Sequence, residues 1–249
     1  MNGVLMRKKI ENIFKKLIYS LGFDLYRLSP STNSSLQMLK GLRHFGIDVV
    51  LDIGANTGQF SSELRSIGYG GRMVSFEPLP DAYKKLAEQA SQDSLWDVHP
   101  QGAIGDIDGE IEINVAGNSV SSSVLPMLKK HSDAANDSAY VGKINVPISR
   151  LDTVANHHLS GTEEFFIKID TQGFEWQVLD GAPETLAKAQ GVLCELSLVP
   201  LYEGQRLWKE VMERLQTEGF TLWAVQKGFT EPSTGQTLQI DAIFYREVV

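Results

Sequence analysis

The sequence predicts an α/β fold, with a mostly parallel sheet that finishes in an antiparallel hairpin strand and a helical extension ahead of it. Three observations carry that expectation. From Ile47 onward, apolar runs of strand length alternate with segments of helical periodicity. Before Ile47 the pattern is helical instead. The last two strand-like runs are separated only by a Gly- and Pro-containing loop, too short for the crossover that a parallel pair needs.

Residues 4–21 read as a basic amphipathic helix. Ile10, Ile13, Phe14, Leu17, Ile18 and Leu21 share one face, while Arg7, Lys8, Lys9, Lys15 and Lys16 decorate the remainder against a single acid, Glu11. Such a helix packs on the domain or on a second subunit of a homo-oligomer, or it meets an anionic membrane surface or lipid-linked acceptor. Strands are expected at residues 48–53, 72–77, 97–104, 110–115, 143–149, 164–170, 191–198, 219–225 and 238–246, with a turn at 106–109 joining the third and fourth. Helices are expected at 59–67, 80–91, 174–189 (broken near Gly181–Pro183) and 204–218. Residues 116–141 form a polar, Ser-rich stretch. With no internal repeat and no long linker, the chain divides into an extension, residues 1–46, and one α/β domain, residues 47–249.

A net charge of −8 argues against a nucleic-acid backbone as partner, because phosphate neutralisation needs a basic surface. The single cysteine, Cys194, excludes an intramolecular disulfide and lies in an apolar run beside Glu195, where a buried, unreactive thiol is expected. No apolar stretch approaches the roughly 20 residues that span a bilayer, and the N-terminus lacks a signal-peptide pattern. A soluble, cytoplasmic protein is expected.

Residues 49–60 read as a strand, a tight glycine turn and a helix start, a setting for a nucleotide at the carboxyl edge of the sheet. The spacing is Asp52-x-Gly54-x-Asn56-x-Gly58, not the Gly-x-Gly-x-x-Gly of dinucleotide sites. Asn56 stands at the middle position, and asparagine tolerates the left-handed region. An acid ahead of the first glycine would repel a pyrophosphate and suits a ligand bearing a sulfonium and an ammonium. S-adenosylmethionine is therefore the expected cofactor, held by Asp52, Gly54, Ala55, Asn56, Thr57, Gly58, Gln59 and Phe60. Glu77, ending the second strand, is placed to accept both ribose hydroxyls, with Pro78 stopping the strand. Gly102 and Ala103 are expected under the adenine.

At this point the chain resembles the FkbM-type methyltransferase family. The resemblance rests on Leu51–Phe60, Ser75-Phe76-Glu77-Pro78, Ala103-Ile104-Gly105-Asp106 with Asp108-Gly109, Leu151-Asp152-Thr153, the block Lys168-Ile169-Asp170-Thr171-Gln172-Gly173-Phe174-Glu175 and Val178-Leu179-Asp180-Gly181-Ala182. It implies a Rossmann-like class I methyltransferase sheet. It also implies transfer of a methyl group to a hydroxyl oxygen, on a sugar, a glycan or glycolipid, or a related natural product. Many members carry Glu where this chain has Gln172. That departure removes a carboxylate, and hard divalent ions prefer several carboxylate oxygens, so no metal ligand is assigned.

Methylating an alcohol needs a base to take its proton. Asp170, at the end of an apolar strand beside the cofactor, is the first candidate, and it also binds cofactor or caps the next helix. Lys168 alternates with Asp170, as an orienting residue or an ion-pair partner. Glu195 is either paired structurally or directed into the site. Glu175 reads as structural, His131 and the pair His157-His158 as surface residues, and Trp176 and Trp208 as packing. The Asn118–Ser123 run is a candidate lid. A nicotinamide-dependent oxidoreductase and a non-catalytic binding protein remain as alternatives on the same scaffold.

Overall fold

A computed structural model describes residues 12–247. Its main sheet has seven strands. They are β1 (Val49–Ile53), β2 (Arg72–Phe76), β3 (Trp96–Val98), β7 (Phe165–Ile169), β8 (Gly191–Ser197), β9 (Thr221–Lys227) and β10 (Gln239–Tyr245), in the order β3-β2-β1-β7-β8-β10-β9. The first five run parallel, and β10 lies antiparallel between β8 and β9. The hairpin expected from the short 226–237 link is thus present, and its second strand is the one that inserts into the sheet.

β1 and β7 are central, and every residue of each is buried. Their continuous apolar character is what a strand covered on both faces requires. Successive residues serve opposite layers. Val49, Leu51 and Ile53 join one core with Val178, Leu179, Leu186, Val211 and Leu215. Val50 joins the other with Leu42, Leu64, Leu86, Phe166 and Ile243. The first layer is built on α6 (Glu175–Asp180), α7 (Pro183–Lys188) and α8 (Trp208–Thr217), and the second on α1 (Ser34–His44), α2 (Gln59–Ser66) and α3 (Pro80–Ala90). Trp176 and Trp208 pack against the first core, and Cys194 is fully buried in it.

A smaller sheet carries β4 (Ala103–Gly105), β6 (Tyr140–Arg150) and β5 (Gly109–Ala116), in that order. Here the structure corrects two expectations. Residues 97–104 are not one strand but two, β3 and β4, in different sheets. Pro100 lacks the N–H that a continuing ladder needs, and the last contact of this stretch with β2 is His99 N donating to Ser75 O at 3.0 Å. The turn near 106–109 does not pair β4 with β5, because β6 lies between them, parallel to β4 and antiparallel to β5.

The break expected within 174–189 falls at Gly181, with Pro183 opening α7. A short helix, α4 (Lys129–Ala134), lies in the polar stretch, and α5 (Leu151–Val154) follows β6.

Within residues 1–46, α1 packs as core. Asn33 caps it by accepting from Leu36 N at 2.8 Å, and Met38, Leu39 and Leu42 are buried. Of the amphipathic helix expected at 4–21, residues 4–11 lie outside the described residues; 12–20 are helical and almost wholly exposed. Among the described residues no helix is long and apolar enough to cross a membrane.

Because Leu42 is wholly buried, Leu42→Ala should cost about 2–5 kcal/mol in urea denaturation. A cost near zero would show that α1 is not part of the core.

Candidate active site

The carboxyl ends of β1, β2, β7 and β8 open on a cleft of about 570 Å³, within the range of small-ligand sites. The glycine turn forms its floor. Gly54 sits at φ +76, and a Cβ there would collide with the carbonyl oxygen of Asp170, so glycine lets the ends of β1 and β7 touch. Asn56 takes φ +48, the left-handed conformation expected of it. Its backbone N donates to Glu77 Oε2 at 2.8 Å, and Leu79 N donates to Oε1 at 2.8 Å. Burial pushes the Glu77 carboxyl up to about 7, against the pull of those two N–H groups.

Behind the turn lies a buried chain of charges. Asp52 is fully buried, and its Oδ1 is 3.1 Å from Lys168 Nζ. Its Oδ2 accepts from the hydroxyls of Ser61 at 3.0 Å and Ser75 at 3.4 Å. Lys168 also donates to the carbonyl of Gly54 at 2.9 Å and lies 3.5 Å from Asp170 Oδ2. Burial alone would lower the lysine, but Asp52 and Asp170 hold it above its usual range. Asp52 is therefore neutralised beneath the loop, and it acts on the cleft by ordering the turn.

A second group of polar side chains closes the other end. Gln172, at φ +54, donates from Nε2 to Asp170 Oδ1 and to Glu195 Oε2, both at 2.8 Å. Its Oε1 accepts from the Tyr202 hydroxyl at 2.9 Å. Gln239 Nε2 also donates to Glu195 Oε2, at 2.6 Å. Asp241 stands opposite Glu195 in the β8–β10 register. Burial, then the charge of Asp170, pushes Glu195 well up and Asp241 to about 6. Glu175 is structural, as expected: its Oε1 accepts from Thr171 N and Gly173 N, each at 3.0 Å, fixing the turn that carries Gln172. Among the described residues no group of three or more His, Cys, Asp or Glu is placed to hold a metal ion.

The cleft is lined by Gly54, Ala55, Asn56, Gln59, Phe60, Glu77, Pro78, Gly102, Ala103, Lys168, Asp170 and Glu195, while Asp52, Thr57 and Gly58 lie outside its lining. Gly58 instead packs toward Trp96 and Leu86. Gly102 and Ala103 reach the cleft from the start of β4, not from the end of a third strand. The Asn118–Ser123 run forms a wall of the cleft, tied to the turns by Asn56 Nδ2 to Ser119 Oγ at 3.3 Å and Ser123 Oγ to Gln172 O at 2.7 Å.

His131 is not a surface residue. It is buried in the cleft wall between Tyr202 and Phe229, with ring centroids 5.1 and 5.4 Å away, and burial lowers it to about 4, which keeps it neutral. His158 is likewise half-buried, 2.9 Å from His99, while His157 is exposed.

Sequence reasoning missed Ser34, Ser35, Met38, Gln226, Phe229, Gln239 and Asp241, all of which line the cleft. An acid inside the apolar run 238–244 was a usable signal for Asp241. The Asn33 cap ahead of Met38 and Leu39 was one for α1.

A parallel sheet with an inserted antiparallel strand, a glycine bend after β1 and an acid after β2 define a Rossmann-like class I methyltransferase. The chain belongs to the Methyltransferase FkbM domain family, whose profile matches residues 52–222, and it is a methyltransferase. It is 28% identical over 182 residues to the 2-O-methyltransferase NoeI of Sinorhizobium fredii, covering 67% of this chain and 70% of that one.

Among solved structures it is similar to the methyltransferase FkbM of Methylobacillus flagellatus (14% identity, TM-score 0.49), matching over 80% of this chain. The chain spans 44% of the length of that protein. It is also similar to Aeropyrum pernix fibrillarin, a structure with natively bound S-adenosyl-L-methionine. That match has 11% identity and a TM-score of 0.45, over 79% of this chain and 66% of that one.

Two outcomes follow from these charges. Lys168→Met strands Asp52 without its partner and should cost about 3–5 kcal/mol in chemical denaturation; Lys168→Met with Asp52→Asn should recover most of it. Equal losses in the single and double variants would rule out the pairing. Glu77 is raised from 4.5 to about 7, so across that window the folded state holds more protons than the unfolded one. Its contribution makes stability fall as pH rises. In melting curves across that window, Glu77→Gln should show a flatter decline than the unaltered protein, and an unchanged slope would contradict the assignment.

Proposed function

We propose that the protein transfers the methyl group of S-adenosylmethionine to a hydroxyl oxygen of a sugar, glycan or related natural product. The observation that carries this reading is the amide bridge of Gln172, which holds two carboxylates, Asp170 and Glu195, side by side at the end of the cleft. The similarity to a 2-O-methyltransferase supports oxygen as the acceptor atom.

The residues fit the donor. Glu77 presents a buried carboxylate to the cleft on the β2 side, suited to ribose hydroxyls, and Ala55, Asn56, Gln59 and Phe60 form the wall after the glycine bend. Gly102 and Ala103 offer a flat backbone surface for the base. When bound, S-adenosylmethionine supplies a methyl group made electrophilic by its sulfonium. The acidic surround of Asp170, Glu195 and Asp241 complements positive charge and disfavours a phosphate-bearing ligand.

Asp170 takes the acceptor proton as the hydroxyl oxygen is alkylated. Both hydrogens of the Gln172 amide are donated to carboxylate oxygens, so the bridge fixes the positions of the two acids. Lys168, 3.5 Å from Asp170 Oδ2, orients that carboxylate. Glu195, better buried, supports the pair. The amides and hydroxyls of Gln226, Gln239, Asn118 and Ser121 match the alternating donors and acceptors of a sugar.

Asp170→Asn should keep affinity for S-adenosylmethionine within a few-fold by calorimetry and lose turnover by about 10²–10⁴ in an acceptor screen with labelled donor. An unimpaired variant would remove Asp170 as the base. An unaltered protein that binds the donor but methylates no hydroxyl acceptor would overturn the oxygen reading.

A further inference from the structure

We propose that residues 12–28 seat on an anionic lipid bilayer and hold the acceptor end of the cleft against it. Ile13, Phe14, Leu17, Tyr19, Leu21, Phe23, Leu25, Tyr26 and Leu28 are between 45% and 72% exposed. Elsewhere among the described residues, large exposed apolar side chains occur singly or in a pair on β9. Such a concentration of exposed apolar side chains within one short segment marks an interaction surface, where scattered residues do not.

Charge selects the partner. Six basic residues (Arg7, Lys8, Lys9, Lys15, Lys16, Arg27) against two acidic ones (Glu11, Asp24) give the first 28 residues +4, which leaves −12 on the rest of the chain. A basic segment on an acidic protein should be drawn to its own body, yet the side chains of 12–28 stay exposed. The rest of the chain offers negative charge with few large exposed apolar side chains, and a second copy offers the same apolar segment but with like positive charge. An anionic bilayer offers both at once. Lys15 and Lys16 lie between Phe14 and Leu17 in a helix whose described part, residues 12–20, is too short to span a bilayer, the combination that lies in a membrane interface.

The segment is also tethered to the cleft. Only residues 29–33 separate it from Ser34 and Ser35, which line the cleft at the start of α1, and five residues reach at most about 18 Å. A bilayer bound by 12–28 is therefore held near the part of the cleft lining where Gln226 Nε2 donates to Ser34 O at 2.9 Å, suited to an acceptor displayed on a lipid. This last step rests on the methyl-transfer reading; the lipid affinity does not.

The test is co-sedimentation of the full chain with vesicles of phosphatidylcholine, alone or mixed with phosphatidylglycerol. Binding to the mixed vesicles only, released by high salt, is expected. Lys15→Glu with Lys16→Glu should weaken it about tenfold or more, and Phe14→Ser with Leu17→Ser should do the same. Both pairs should leave affinity for S-adenosylmethionine unchanged, which shows that the fold and the donor site persist. Equal binding to both vesicle types, or to neither, overturns the proposal. So does a dimer in light scattering that Phe14→Ser with Leu17→Ser dissolves while vesicle binding is absent, since the occupant is then a second copy. If vesicle binding holds and no hydroxyl acceptor is found, the surface stands and the oxygen reading falls.

Discussion

The ion pair between Asp52 and Lys168, at the ends of neighbouring central strands, is the constraint on which the rest of the site depends. Neither group could be buried alone, because an unpaired charge beneath the sheet edge costs several kcal/mol. Together they fix the carbonyl of Gly54, bring the turn after β1 against the exit of β7 and leave Asp170 at the cleft surface within reach of the same ammonium. The floor of the cleft and its far end are thus set by one lysine. The register helps: Asp52 and Lys168 are direct partners in the β1–β7 ladder.

Beyond that pair the site gathers acids with few cations to balance them. Asp170, Glu195 and Asp241 come from adjacent strand ends, and like charges this close destabilise one another. Two glutamines, Gln172 and Gln239, supply the donors that a cation would otherwise provide. The cost of holding Gln172 at positive φ is met by contacts on every side: Tyr202 on its amide, Ser123 on its carbonyl and Glu175 on its neighbours.

Most of this architecture is legible in the residues. The alternation after Ile47 gives the layers, and the residues 51–60 with Glu77 give one wall of the cleft, because glycine turns and strand-end acids are local signals. What local pattern does not give is which elements meet. Pro100 splits a run that looks continuous, and β6 separates strands joined by a tight turn; both are decisions of pairing, made far away in sequence. The far end of the cleft suffers most, since α1, the loop after β9 and β10 converge there from both ends of the chain. His131 shows the same effect: nothing beside it in sequence foretells that Tyr202 and Phe229 will enclose it.

The reliance on amides has a chemical side. An amide does not titrate, so Gln172 and Gln239 remain donors toward Glu195 in mild acid and mild alkali alike. It can, however, age. Hydrolysis of either side chain to the acid would replace a donor by a repelling oxygen in the middle of the carboxylate group. Such a molecule would gain one negative charge and grip Glu195 more weakly, so the lifetime of the site is tied to the slow hydrolysis of two side chains.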